Sequence, residues 1–437
     1  MRDIITLIFM MGLAPLIIRS AFASLLMWSW ANLSALGFYM FGFMAGVPYV
    51  MIFAISTLVL MMTQRKQVVG RWELGGPQVL FLLFSLHALF VASLAYPGID
   101  RNWEIASNLL KNILLCLLMP LLVVNRTRLV AMVIIMALGL GGHGVVEGLK
   151  FLASGGAHIV VGNPKLGDNN HFAQSVLLSV PLAFYLWQYS KSRAWRYALL
   201  GFMFLVAMAV IATKSRGGLI GFVCFGVWMV LMGRQKFRGL LIFAAIGLAI
   251  YAAAPASWFE RMETLQSANE DASFMGRVTA WKRASAIAVE NPVFGGGFRA
   301  VQAPVLFEQF RYKQGLLGFV ETPNVNYPAA AHSIYFEVLG DMGFVGLLIF
   351  VALMWTTFSA RGEVQRLVNK SGRDDLLWAA DMVNALAGAM FIFLITGAAL
   401  SAAFYDFHYM LVALADCVRR HVRQQVTPRK STAALRP

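Results

Sequence analysis

In AHSIYFEVLGDMGFVGL, residues 331–347, His332 stands just ahead of an apolar run. An imidazole titrates near working pH, so a ring at such a place can take a proton from an attacking hydroxyl. The same ring could equally fill a span boundary. Arg216, in ATKSRGGLIGF, lies beside Lys214 and ahead of Gly217 and Gly218, where a bare backbone can approach a ligand. Its planar fork suits phosphate oxygens; snorkelling toward lipid headgroups is the ordinary alternative. Arg277 opens GRVTAW, a stretch of helical periodicity, where a solvated helix charge is the alternative. Asp168, Asn169, Asn170 and His171 stand where a polar connection re-enters an apolar run. Asp168 and Asn170 read as a helix cap first and as substrate hydrogen-bond partners second. His158 and Lys165 share that connection, and Lys111 and Arg19 interrupt apolar stretches without an assigned role.

These residues must be held by helices that cross a bilayer. Of 437 residues, 59% are hydrophobic and 13% charged, whereas soluble chains are about a quarter charged. Apolar runs of about 17–25 residues recur along the chain, as spanning helices require. The first run continues into the next, so no cleavable signal peptide is expected. Cys116, Cys224 and Cys417 lie in or beside apolar segments and read as core residues.

The net charge of +15 resembles a nucleic-acid signal until the charges are placed. Basic connections at Arg65–Lys66–Arg71, Arg126–Arg128, Lys191–Arg193–Arg196, Arg234–Lys236–Arg238 and Arg361–Arg373 alternate with less basic ones. The positive-inside rule puts the basic set in the cytoplasm and removes nucleic acid as a partner. Spans are expected near 78–96, 105–123, 129–147, 171–188, 197–213, 217–233, 239–255, 333–357, 380–398 and 402–416. Two more fall within 4–63, the first interrupted or tilted at Arg19. The expected fold is all-α, a polytopic integral membrane protein of about twelve transmembrane helices with both ends cytoplasmic. Residues 1–255 hold nine spans, 256–331 one large outer loop, 332–417 three spans, and 418–437 a basic cytoplasmic tail.

This topology gathers His332, Arg216, Arg277 and residues 168–171 on the outer face. In the loop, Gly276–Glu290 reads as a helix with Val278, Trp281, Ala284, Ile287 and Ala288 on one apolar face. The turn-rich NPVFGGGF follows, then Pro304, Pro323 and Pro328. Long excursions of this kind usually carry function; a spacer is the alternative. Gly340, Gly343 and Gly346 read as a small-residue stripe that packs helices closely and fixes the mouth holding His332.

His332–Ser333, nine residues, then Gly343–Phe344–Val345–Gly346 resembles the histidine–glycine pattern of bacterial O-antigen ligases. Their superfamily also holds O-antigen polymerases and protein O-oligosaccharyltransferases. Arg216–Gly–Gly–Leu–Ile resembles the family's arginine, three residues, leucine motif, with Ile220 in place of leucine. Gly276–Arg277, Trp281 and Asn291–Pro292–Val293–Phe294–Gly295 look like its large periplasmic loop.

The resemblance implies a metal-independent glycosyltransferase without cofactor, in the bacterial inner membrane with its site facing the periplasm. Its donor would be a glycan on undecaprenyl diphosphate and its acceptor the lipid A core, amid membrane lipids. His332 would be the general base, Arg216 and Arg277 would bind the diphosphate, and Lys214, Asp168 and Asn170 could touch substrate. The residues alone leave a glycan or protein acceptor open. A lipid-linked-sugar transporter fits less well, because such folds show related halves with sites at mid-membrane.

Overall fold

The computed structural model describes residues 2–426, apart from Phe41, Leu74, Pro164, Lys165, Gln235, residues 254–269 and Val325. Lys165, residues 256–269 of the expected loop and the tail beyond Val426 therefore lie outside the described residues. Helices dominate: α1 Arg2–Ile17, α2 Ala21–Ser34, α3 Tyr49–Thr63, α4 Pro77–Ser93, α5 Asn102–Leu122, α6 Arg126–Ala153, α7 Asn169–Leu177 and α8 Ser179–Tyr189. They continue as α9 Arg193–Ala212, α10 Arg216–Met232, α11 Lys236–Ala253, α12 Glu270–Glu290, α13 Pro304–Phe310, α14 Ile334–Ser371, α15 Leu377–Thr396 and α16 Asp406–Val426. Two-residue strands Gly162–Asn163 and Gly167–Asp168 pair antiparallel ahead of α7.

Short polar side chains start many of these helices by accepting a free backbone N–H of the first turn. Ser20, Asn125, Asp168, Ser192 and Ser215 do so for α2, α6, α7, α9 and α10. The Ser20 cap coincides with the break beside Arg19. The run expected at 171–188 is divided at Leu178 into α7 and α8. Among the described residues, five helical stretches are long and apolar enough to cross a membrane: α5, α6, α9, α14 and Asp374–Ala399, which contains α15. Shorter apolar helices occupy Asp3–Ile17, Tyr49–Thr63, Pro77–Ser93 and Arg216–Met232.

The last helix differs from expectation. In place of a run at 402–416 followed by a tail, one helix continues through Val426, with Arg419 and Arg420 turned inward. The Asp416 carboxylate accepts from Arg420 Nε at 2.7 Å and from Gln78 Nε2 at 2.6 Å, and it also pairs with Arg419. Arg420 donates onward to Gln78 Oε1 and to the Arg71 carbonyl. Charges paired in this way can be buried, and they tie α16 to α4.

The described part of the expected loop, 270–331, is a folded cap with its own apolar cores. Ile287, Leu306 and Phe310 pack with Ala286, Ala300 and Ala303 against Tyr96 and Ile99. Each large side chain buried from water here contributes about 1.5–3 kcal/mol. A second cluster joins Ala280, Ala284, Val301 and Ala331 to Trp281 and Phe336.

Among the glycines of α14, Gly340 and Gly346 pack against neighbouring helices as a small-residue stripe would, whereas Gly343 does something else. α14 is not one rod: Gly343 has φ 69° and ψ −171°, a conformation open essentially to glycine alone. Residues 291–300 wrap this break. Gly296 N–H donates to the Gly340 carbonyl at 2.9 Å, Gly297 N–H to the Asp341 carbonyl at 3.0 Å, and Phe344 N–H to the Pro292 carbonyl at 2.8 Å. The Asp341 carboxylate accepts from the N–H groups of Arg299 and Ala300 at 2.8 and 2.9 Å. A side chain on Gly295, at φ 65°, would strike Gly343 N at 2.6 Å, so both strands of the contact need glycine. Gly340 takes the approach of Ala284, and Gly346 faces Met342 and His87.

Candidate functional site

His332 precedes α14 with φ 45°, a left-handed conformation that costs a non-glycine residue energy. Its flanks pay for it. Its own N–H donates to Ser401 Oγ at 2.9 Å, and Trp281 Nε1 donates to the preceding Ala331 carbonyl at 2.6 Å. Trp281 also stacks on Phe336, with centroids 4.9 Å apart. Since Arg277 lies one turn before Trp281 on α12, the same anchor carries Arg277 toward the histidine. The electrostatics register this proximity. Burial lowers the His332 pKa from its ordinary 6.5, the charges of Arg277 and His171 lower it further, and Asp168 opposes them. The ring is thereby kept neutral and able to accept a proton.

A hydrogen-bonded relay connects the other expected residues. Asp168 Oδ1 accepts from the N–H groups of Asn170 and His171 at 2.9 and 3.0 Å, so Asp168 caps α7. It also accepts from His171 Nδ1 at 2.8 Å, and this bond leads the effects that hold its carboxyl well below the usual carboxylate range. His171 Nε2 faces the Ser401 carbonyl at 3.1 Å, the residue whose hydroxyl holds His332. On the other side, Ser215 Oγ donates to Asn170 Oδ1 at 2.7 Å and caps α10. Arg216 is the first residue of that helix, half-buried, and Lys214 precedes it with φ 54°.

His332, His171, Ser401 and Tyr405 line a cavity of about 1040 Å³. That exceeds the usual range for small-molecule pockets, roughly 300–1,000 Å³. Its walls are of two kinds. Trp28, Val50 and Ala54 supply apolar surface from α2 and α3, while Arg101, Lys111, Arg299 and Glu337 supply charge. Arg216, Arg277 and Lys214 do not line it.

Backbone strain gathers at this cavity. Among the described residues, Ala35, Arg101, Lys214, Arg299 and His332 are the non-glycine positions with positive φ. All but Lys214 line the cavity, and Lys214 is two residues from Arg216. Strain of this kind concentrates at ligand sites, where the surroundings hold it in place. The sequence alone hides Arg101 and Arg299, which look like ordinary connection charges. Lys111, a cation within an apolar run, lines the same cavity.

The arrangement defines a multi-pass helical membrane protein with a histidine-lined, partly cationic cavity. Residues 200–351 match the family model described as O-Antigen ligase, a stretch that includes Arg216, Arg277, His332 and Gly343. Residues 1–191 match a second family model, described as a family of unknown function. No curated protein matches the chain. The first match supports the ligase and polymerase superfamily that the motifs resemble.

Proposed function

We propose that the chain is an O-antigen ligase, an inverting, metal-independent glycosyltransferase of about twelve spans in the bacterial inner membrane. It transfers a glycan from undecaprenyl diphosphate to the lipid A-core oligosaccharide at the periplasmic face, where the large loop lies. The observation that carries this reading is His332, held at a cavity with both apolar and cationic walls. A donor with a polyprenyl tail and a diphosphate asks for both kinds of wall.

In the reaction, an acceptor hydroxyl oxygen attacks the anomeric carbon while His332 takes its proton. The bond from that carbon to the diphosphate oxygen breaks, and undecaprenyl diphosphate leaves with the electron pair. A positioned base contributes typically about 10²–10⁴-fold. Arg216 and Arg277 stabilise the charge growing on the diphosphate, and loss of one such group typically costs about 10²–10³-fold. Lys214 adds charge beside Arg216, while Asp168 and Asn170 order the site through the relay.

The test is transfer by purified protein, in detergent with chelator, from a lipid-linked glycan to lipid A core. Capped core on a gel supports ligation. Elongated lipid-linked glycan with no capped core would instead identify a polymerase, and transfer to neither overturns the transferase reading.

A further inference from the structure

We propose a second oxyanion site in the cavity, formed by Arg101 and Arg299 and specific for a phosphate or diphosphate ester. It deepens the transferase reading and rests on it for the identity of the substrates. Neither arginine belongs to the motifs that drew attention to His332, and the two are 198 positions apart (299 − 101).

The chain brings them together by a direct clamp between their neighbours. Asn102 Oδ1 accepts from the Phe298 N–H at 3.0 Å, while Asn102 Nδ2 donates to the Ala92 carbonyl at 2.9 Å. The start of α5 and the turn at residue 299 are therefore fixed against each other. Asp341 fixes the same turn from the α14 side through the Arg299 N–H. Both arginines are then driven into left-handed backbone, φ 63° and 68°, and both line the cavity that His332 lines. Two strained residues of the same chemistry, next to a shared clamp and lining one cavity, are difficult to explain by packing, because neither side chain fills a core.

Their present partners leave the pair room for an anion. Arg101 donates from Nε and Nη2 to the Glu104 carboxylate at 2.7 and 2.6 Å, in an ion pair half exposed on both sides. Arg299 donates from Nε and Nη2 to the neutral Gln302 Oε1 at 3.1 and 2.6 Å. The Arg299 charge also acts on Glu104, as it does on Glu337. Lys111 adds a third cation to the cavity wall. Of the acids that line the cavity, Glu337 accepts from Ala403 N–H and Asp406 from Asn112 Nδ2. The half-exposed Glu104 carboxylate on the Arg101 fork is a replaceable counter-ion, and a phosphate ester presents more oxygens in the geometry that arginine prefers.

The shared chemistry has two sources, the diphosphate of the lipid donor and a phosphate on the acceptor. Binding to the purified full chain in detergent separates them, with undecaprenyl diphosphate and a soluble sugar monophosphate as probes. Arg101→Gln and Arg299→Gln should each weaken at least one probe by about tenfold or more, the loss of a charged hydrogen bond. Loss for undecaprenyl diphosphate assigns the site to the donor; loss for the monophosphate alone assigns it to the acceptor. Glu104→Gln should tighten the same probe severalfold, a gain that misfolding cannot produce. Lys313→Gln, on the cap, should leave both affinities unchanged. Unchanged binding of both probes in both arginine variants, with no gain in Glu104→Gln, overturns the proposal. Binding requires no turnover, so weakened probes in a chain inactive as a transferase would keep this site while removing the transferase reading.

Discussion

Asp341 holds Arg299 by the backbone, its Oδ2 accepting the arginine N–H at 2.8 Å across the broken turn of α14. The same carboxylate accepts from Ala300 N–H. Replacing it by leucine would strand two backbone donors, the Ala300 N–H fully buried and the Arg299 N–H partly so. Asp341→Leu is expected to destabilise the protein by about 2–5 kcal/mol, from one to two unsatisfied buried donors. Thermal unfolding in detergent and proteolysis within residues 291–300 report it, and an unaltered melting temperature would refute the role.

Gly343→Ala tests the break itself. Its φ and ψ are closed to alanine, and a Cβ there would meet the Pro292 carbonyl oxygen at 2.6 Å. Strain of about 1–3 kcal/mol before the clash is expected, together with a displaced wrap and impaired transfer. Gly362→Ala in the same helix is the control, since nothing lies within 4 Å of its added Cβ. It should be neutral or mildly stabilising. Equal effects at the two positions would show that the wrap contributes nothing.

His332→Ala should reduce transfer by about 10²–10⁴-fold while undecaprenyl diphosphate still binds. Full activity in a folded His332→Ala protein would end its assignment as the base.

The pH dependence carries signs that can be checked. Because burial and nearby cations lower the His332 pKa, the neutral, proton-accepting ring persists below its ordinary 6.5, and kcat/KM should fall only as pH drops further. Arg277→Gln removes a lowering influence, so the acid limb should move to higher pH. Asp168→Asn removes the raising influence, so the limb should move to lower pH. Shifts of the same sign in both variants would contradict the electrostatic arrangement around the ring.

Much of the scaffold is legible in the sequence, because hydropathy and caps are local. The runs expected at 105–123 and 217–233 are helical over Asn102–Leu122 and Arg216–Met232. The interruption beside Arg19 and the cap at Asp168 also follow from nearby residues. What hydropathy cannot register is backbone conformation. Gly343 sits in an apolar, helix-like run and still breaks it, since the wrap that demands the break begins some fifty residues earlier (343 − 291 = 52). Arg419 and Arg420 read as tail charges because their partners, Asp416 apart, lie on α4, on the connection just before it and on α14. Arg101 and Arg299 look unremarkable for the same reason: a contact between Asn102 and Phe298 makes them neighbours.

The wrapped break in α14 has a mechanical consequence. Amides of the cap segment complete bonds that the broken helix leaves open, so neither can let go without orphaning buried backbone groups of the other. Cap and rod should consequently melt and exchange their amide protons as a single cooperative block, and a nick between them would leave both halves seated.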